Sequence, residues 1–436
     1  VRRTRRSFAA RNQQLNHSTK FIIDISKQTM AYTFHQAILP NGLTIVGEVD
    51  PTAHSAAAGF FVKTGARDEA TPLMGVSHFL EHMMFKGTHD ITAEELNQRF
   101  DAMGAKNNAY TSNEITCFYA HLLPERSGEG IDLLSRMMRP ALRQGDFDTE
   151  KGVILEEIAM YDDNPFFILY ESVLEKHFGR HTLSHKVLGT NQSITNLTRD
   201  QMQTYFDSRY SADNTVVALA GRLDFNAAVA QINQLCGSWR RTSVTRDNAP
   251  PKLAGEHFTV HSEKVNRGYL LAMCPAPAFD DERRYAAALV SQVLGMPDNS
   301  LLHWALIEPG IAEEAQAVYD GNDGSGQCFV FASCDPARID DVWEITRKQM
   351  RDVRDSLTQD DLDRLLAKTV TGATISGERP HDRMHRLGRV FTYLRRYWPL
   401  EEELDRMSRV TLADMRAYCD AFPLEPVTVG RLLPKA

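Results

Sequence analysis

Residues 75–88, GVSHFLEHMMFKGT, decide how this chain reads. Val76, Phe79, Leu80, Met83 and Met84 recur at helical spacing, which predicts an amphipathic helix closed at Gly87. Thr71-Pro72 just before it is expected to open that helix, threonine as cap and proline as first helical residue. The same segment carries His78 and His82. Positions four apart project from one helix face, so both imidazoles can reach a single ion. Glu81 lies about 100° of helix rotation from His82, close enough to border the same site as a general base. A catalytic zinc keeps three protein ligands and one open position for water, so a third ligand must come from elsewhere.

The best source of that ligand is residues 148–163, DTEKGVILEEIAMYDD, a second predicted helix stopped by Asn164-Pro165. Glu150 and Glu157 lie seven apart, on one stripe, while Glu156 points about 100° away from Glu157. One acid of the stripe can bind metal while the other orients a histidine. His54, His89, His121 and the series His177, His181, His185 have no comparable partner set and read as surface or structural residues.

Outward from this centre the chain alternates strands and helices. Residues 35–50, HQAILPNGLTIVGEVD, read as strand, Asn41-Gly42 type I′ hairpin turn, strand. A strand is expected at 55–65, a helix at 93–104, a strand pair over 107–123, a helix at 128–142 and a strand ending near Gly221. Residues 246–256, RDNAPPKLAGE, have prolines, glycine and charge without periodicity, as a linker does. After them the order begins again with two strands, the helix 281–295 and two more strands. The reading is α+β: two homologous α/β-sandwich domains arising by duplication, each an antiparallel-rich sheet flanked by helices. Their expected bounds are 31–243 for the metal-binding domain, 244–256 for the linker and 257–436 for a second domain without the metal motif.

Bulk properties narrow the function. The 436 residues are too many for one ordinary core. Apolar residues make up 42% and charged residues 24%, the balance of a globular protein, and no stretch is long and apolar enough to span a membrane. A net charge of −8 without a basic, aromatic-interleaved stripe argues against nucleic acid. Six cysteines lack CxxC spacing and read as buried thiols in a reducing compartment, so a cytoplasmic location is expected. Residues 1–30 hold Arg2, Arg3, Arg5, Arg6 and Arg11 but one acid, Asp24. They read as a disordered arm or a leader; as a targeting segment they would instead direct the chain to the mitochondrial matrix or periplasm.

The order HxxEH is the inverted zincin motif. With LPNGL (39–43), GARDE (65–69), NNAYTSNEITCFYAHL (107–122), TEKGVILEEIAMYDDNP (149–165), LGT (188–190), YSADNTVVALAG (210–221) and RMHRLGR (383–389), the chain resembles the pitrilysin-type zinc metallopeptidase family over nearly its whole length. The likeness is to the short members, which include mitochondrial processing peptidase subunits and bacterial relatives. The resemblance implies His78, His82 and Glu157 as ligands of one Zn2+ per chain, Glu81 as base and Glu150 as supporting acid. It implies that Asn108, Ala109, Tyr110 and Thr111 hold an extended peptide substrate by strand addition within a closed chamber.

One departure stands out. Many family members carry an arginine and a tyrosine, seven apart, in a stretch matching LLHWALIEPGIAE (301–313), where this chain has Leu306 and Glu313. Neither can donate to an oxyanion as arginine or tyrosine would. Two such domains form half of the clamshell found in the family's long members, so a partner is expected. The reading is a heterodimer with a related chain that lacks HxxEH and supplies the arginine and tyrosine. The alternatives are a self-sufficient homodimeric peptidase and a non-catalytic structural subunit of the same fold, as in the bc1 complex.

Overall fold

In the computed structural model, which describes residues 32–435, the first chain reversal differs from the expected type I′ turn. Gly42 N donates to Leu39 O (2.8 Å) and Leu39 N to Leu43 O (2.9 Å). Gly42 has φ +91°, whereas Asn41 is not left-handed. This is a three-residue loop ending in a left-handed glycine. Pro40 fixes a negative φ ahead of Asn41. The Asn41 amide then donates to the carbonyls of Cys236 (2.8 Å), Gly237 (3.2 Å) and Trp239 (3.3 Å), fastening the hairpin to the end of a distant helix. The arm 1–30 lies outside the described residues.

Strands β1 (Thr33–Ile38), β2 (Thr44–Val49) and β3 (Ala56–Val62) lead to helices α1 (Val76–Met84) and α2 (Ala93–Ala102). Strands β4 (Lys106–Thr111) and β5 (Thr116–Leu122) form the expected pair. Helices α3 (Ser127–Met137), α4 (Gln144–Tyr161), α5 (Pro165–Phe178), α6 (Asn191–Asn196) and α7 (Arg199–Arg209) precede β6 (Thr215–Gly221) and α8 (Phe225–Cys236). Residues 237–256 carry no helix or strand. The order then resumes with β7 (His257–Ser262), β8 (Gly268–Ala276), α9 (Arg284–Gly295), β9 (Glu314–Asn322) and β10 (Ser325–Cys334). It ends with α10 (Ile339–Ser356), α11 (Gln359–Gly377), α12 (Pro380–Leu394), α13 (Leu400–Ser408), α14 (Leu412–Ala421) and β11 (Thr428–Pro434).

Apart from the extra edge strand β1 in the first, the two sheets repeat one five-strand topology. The first runs β1-β2-β6-β3-β5-β4 and the second β7-β11-β8-β10-β9. In each, a single parallel pair, β2 with β6 or β7 with β11, sits among antiparallel neighbours. Each sheet is buried on both faces, so central strands such as AAAGFFV and TVVALAG are apolar throughout rather than alternating. In both cases one covering helix comes from the far half of the sequence. Helix α5 lays Leu169, Val173, Leu174 and Phe178 on Leu271, Met273, Phe329 and Phe331 of the second sheet. Helix α12 lays Met384, Leu387 and Phe391 on Val46, Ala57, Phe61 and Val216 of the first. Gly388 permits this approach, since a Cβ there would meet the Phe61 ring at 2.1 Å. The reversal at 164–165 serves this exchange. Asn164 Oδ1 accepts from Phe166 N (3.0 Å) and Pro165 takes the first position of α5, so the expected helix stop is also the next helix start.

Buried charges fasten the halves. Arg67 donates to Glu114 (2.5 Å) and to the carbonyl of Asp323 (2.6 Å). Arg246, in the connecting segment, donates to Asp68 (2.6 Å) and Asp323 (3.2 Å). Glu114 also accepts from Tyr393 Oη (2.8 Å) and from Asp323 N (3.1 Å). The side chains of Arg246, Asp68 and Glu114 are at most 4% exposed. Burial works against the Arg246 charge, yet the three carboxylates prevail and push its pKa up. Removing one member leaves the others charged and unpaired in the interior. Arg246→Ala is therefore expected to cost about 3–5 kcal/mol, measured by urea unfolding. A loss within about 0.5 kcal/mol, the level of an ordinary surface change, would show that the cluster does not fasten the halves.

Candidate metal centre

Helix α1 begins later than the sequence suggests. Thr71–Leu73 form a single 3-10 turn, and the chain enters α1 through Gly75 at φ +92°. Any side chain there would be strained, and a Cβ would also meet the carbonyl of Leu188 at 2.5 Å. The cap comes from Glu69. Its two oxygens accept from Gly75 N and Ser77 N, both at 2.7 Å. A carboxylate satisfying amides at a helix start is favoured by the helix dipole. Glu69 is buried, and burial pushes its carboxyl up to about 8 against the pull of those two bonds. Ser77 Oγ meets Tyr205 Oη at 2.7 Å on the inner side of α1. Phe79 stacks on Phe147 of α4, ring centroids 4.7 Å apart, which sets α1 and α4 side by side.

The predicted ligand set meets across these two helices. One ligand atom each of His78, His82 and Glu157 lies within 4.8 Å of the others, the only such trio of metal-capable side chains among the described residues. His82 Nε2 is 3.5 Å and His78 Nε2 3.8 Å from Glu157 Oε2. Glu156 is exposed on the outer side of α4. Glu150 is buried and contacts His82 Nδ1 at 2.9 Å, which leaves Nε2 directed to Glu157. Lys86 pairs with the second oxygen of Glu150. Burial opposes the Glu150 charge, but the bonds from His82 and Lys86 outweigh it and hold the carboxyl below its usual range.

The two imidazoles are shifted in opposite directions. Burial, reinforced by the neighbouring His82, pushes His78 down to about 3 and keeps it neutral. Burial also opposes the charge on His82, yet the Glu150 bond and the charges of Glu157, Glu150 and Glu81 raise its pKa. His78 Nδ1 is a buried polar atom without a hydrogen-bond partner. Two imidazole nitrogens and a carboxylate oxygen, with one histidine oriented by a further acid, form a donor set that fits a borderline divalent ion such as Zn2+.

Glu81 is placed on the same side. Its carboxylate accepts from Thr111 Oγ1 at 2.6 Å, and burial raises its pKa despite that bond. Thr111 ends β4, the edge strand of the first sheet, whose only strand partner among the described residues is β5. The Ala109 amide is held by its neighbour Asn108 Oδ1 at 2.9 Å, and Tyr110 is 37% exposed. Leu306 is fully buried, and Glu313 pairs with Arg267, so neither offers a donor. Sequence reasoning missed Glu69 and Lys86; the signal for Lys86 was its place four residues after His82. Glu69→Gln loses one of two oxygens that accept at the start of α1 and is expected to cost about 1–3 kcal/mol, read from urea unfolding. An unchanged midpoint would show that Glu69 is not the cap.

Comparison with known proteins agrees with this architecture. Residues 44–191 match the insulinase family (peptidase family M16), and residues 196–369 match the peptidase M16 inactive domain. An uncharacterized zinc protease of Streptomyces coelicolor is 32% identical over 399 residues, covering 88% of this chain and 86% of that protein. A protease from Helicobacter pylori superposes with a TM-score of 0.85 at 19% identity, over 93% of this chain and 100% of the other. A chain of complex III2 from Candida albicans does so at 0.78 and 14% identity, over 92% and 95%. These two likenesses show a shared fold. By its two matched domains and a relative similar along most of its length, the chain belongs to the insulinase family of peptidases, peptidase family M16.

Proposed function

We propose that this chain is a zinc peptidase whose chemistry is carried by His78, Glu81, His82, Glu150 and Glu157. The reading rests on the meeting of His78, His82 and Glu157 between α1 and α4, with Glu81 beside them. These three residues would hold Zn2+, which when bound polarises a scissile carbonyl and makes water more acidic. Glu81 takes the proton of the attacking water and returns it to the leaving nitrogen; its raised pKa suits both steps. Glu150 holds His82 in the orientation that turns Nε2 toward the ion. The edge strand β4 binds substrate as an added strand, backbone to backbone, through residues 108–111. An incoming chain would displace Asn108 Oδ1 from the Ala109 amide.

The missing oxyanion donors support a heterodimer. Leu306 is in the core and Glu313 is engaged by Arg267, so the arginine and tyrosine come from a related partner without HxxEH. The domains are read as 31–243 and 257–436 about a 244–256 linker, a reading supported by the stretch 237–256, which carries no helix or strand. A structural subunit is the second reading, because the fold is shared with a chain of complex III2. It gives no reason for a buried neutral His78 beside an oriented His82.

Three outcomes test the proposal. Glu81→Gln is expected to retain zinc and lose peptide hydrolysis by about 10²–10⁴-fold, whereas His82→Ala loses the metal too; unchanged turnover in Glu81→Gln ends the assignment. Zn2+ binding at about pH 6 is expected to release one proton, from His82, because His78 is already neutral. Calorimetry in buffers of different ionisation enthalpy reads this, and release of two protons would contradict the asymmetry. Full hydrolysis by a purified homodimer of this chain would overturn the heterodimer.

A further inference from the structure

The inference rests on the strand-edge reading of β4. In the register of β4 with β5, Lys106, Asn108 and Tyr110 lie opposite His121, Tyr119 and Cys117. Cys117 belongs to the core beneath α12, together with Met384 and Leu387. Thr111, on the alternate face, reaches Glu81 instead. A peptide added to β4 must therefore send every second side chain toward α1 and the ones between toward α12.

On the α12 side the groove is aromatic and ends in a cation. The His385 ring lies 4.5 Å from Tyr119 and 5.9 Å from Tyr110. Burial, with His381 nearby, pushes His385 down to about 4, so it presents a neutral ring. One helical turn on is Arg389. Its guanidinium stands 5.4 Å from the Phe279 ring and 6.0 Å from the Tyr393 ring, and its charge reaches Tyr110.

Arg389 is exposed and has no hydrogen bond or ion pair among the described residues. Other arginines of α12 are paired, Arg383 with Asp50 (3.3 Å) and Arg386 with Glu48. The acids around Arg389 are already engaged. Glu114 is held by Arg67 and Tyr393, and Asp320 accepts from Gln327 (2.9 Å) and feels the Arg389 charge without a bond to it. Asp382 is paired with Arg379 (2.7 Å). A cation stacked on rings, beside an open strand edge, has no carboxylate bonded to it.

We propose that Arg389 determines substrate specificity by receiving an acidic side chain of the peptide paired on β4, at a position facing α12. The preferred substrates are extended peptides with aspartate or glutamate on that face. The contact acts on peptide binding and is separate from the oxyanion donors assigned to the partner.

The test uses the full chain carrying Glu81→Gln, with its co-purifying partner, and fluorescein-labelled ten-residue peptides with aspartate, alanine or lysine at alternate positions. Anisotropy is expected to show the aspartate peptide bound about tenfold more tightly than the lysine peptide, with the difference shrinking as salt rises. Arg389→Lys should keep the order, Arg389→Gln should abolish it and Arg389→Glu should invert it. Binding of the aspartate and lysine peptides in the same ratio by the chains with Arg389 and with Arg389→Glu would overturn the role of Arg389 and leave the strand edge standing. Failure of every peptide to bind would overturn the strand-edge reading, and this inference with it.

Discussion

The buried charges at Arg67, Asp68, Glu114, Arg246 and Asp323 are the constraint on which the remainder rests. They join the first sheet, the connecting segment and the second sheet at one place. An ion cluster of this kind adds little to stability compared with an apolar core, but it tolerates few alternative arrangements. The next residue along, Glu69, grips the start of α1. The five residues GARDE thus carry both the fastening of the two halves and the cap of the helix that bears the histidines. A shift in one is transmitted through a single short, buried turn to the other.

Given that fixed start, the metal centre needs little more than helix packing. His78 and His82 share a face of α1 by spacing alone. Glu157 reaches them because α4 stacks Phe147 on Phe79 and buries Ile154 and Ile158 alongside. The asymmetry between the histidines follows from position. His78 faces the interior with no acid at its Nδ1, whereas His82 sits among three carboxylates. A neutral ligand beside a proton-binding one is a natural consequence of placing two imidazoles at different depths on one helix.

Much of this was legible in the sequence, because the relevant signals are local. The HxxEH spacing, the stripe of Glu150 and Glu157 and the alternation of strands and helices depend on period, and the repeat of sheet order followed from the repeat of elements. What escaped the sequence depends on contacts between distant residues. The Asn41-Gly42 turn took a different form because Pro40 precedes it and Asn41 is drawn to the carbonyls of Cys236 and Trp239. Thr71-Pro72 has good capping chemistry, but Glu69 supplies the cap from outside the local pattern. The exchange of α5 and α12 between the sheets has no signature in either helix, since an apolar stripe does not say which surface it will cover.

That exchange bears on how the chain is made. The outer face of the first sheet, with Val46, Phe61 and Val216, is complete soon after residue 221 emerges from the ribosome, yet its cover is residues 380–394. The nascent domain therefore carries an apolar face with nothing to bury it for some 160 further residues of synthesis, about ten to thirty seconds at ordinary elongation rates. Helix α5 waits in the same way for the second sheet. Contacts so far apart in sequence slow folding and extend the period in which sticky surface is exposed. A chain built on this plan leaves apolar surface uncovered during translation for longer than its finished, well-fastened interior would suggest.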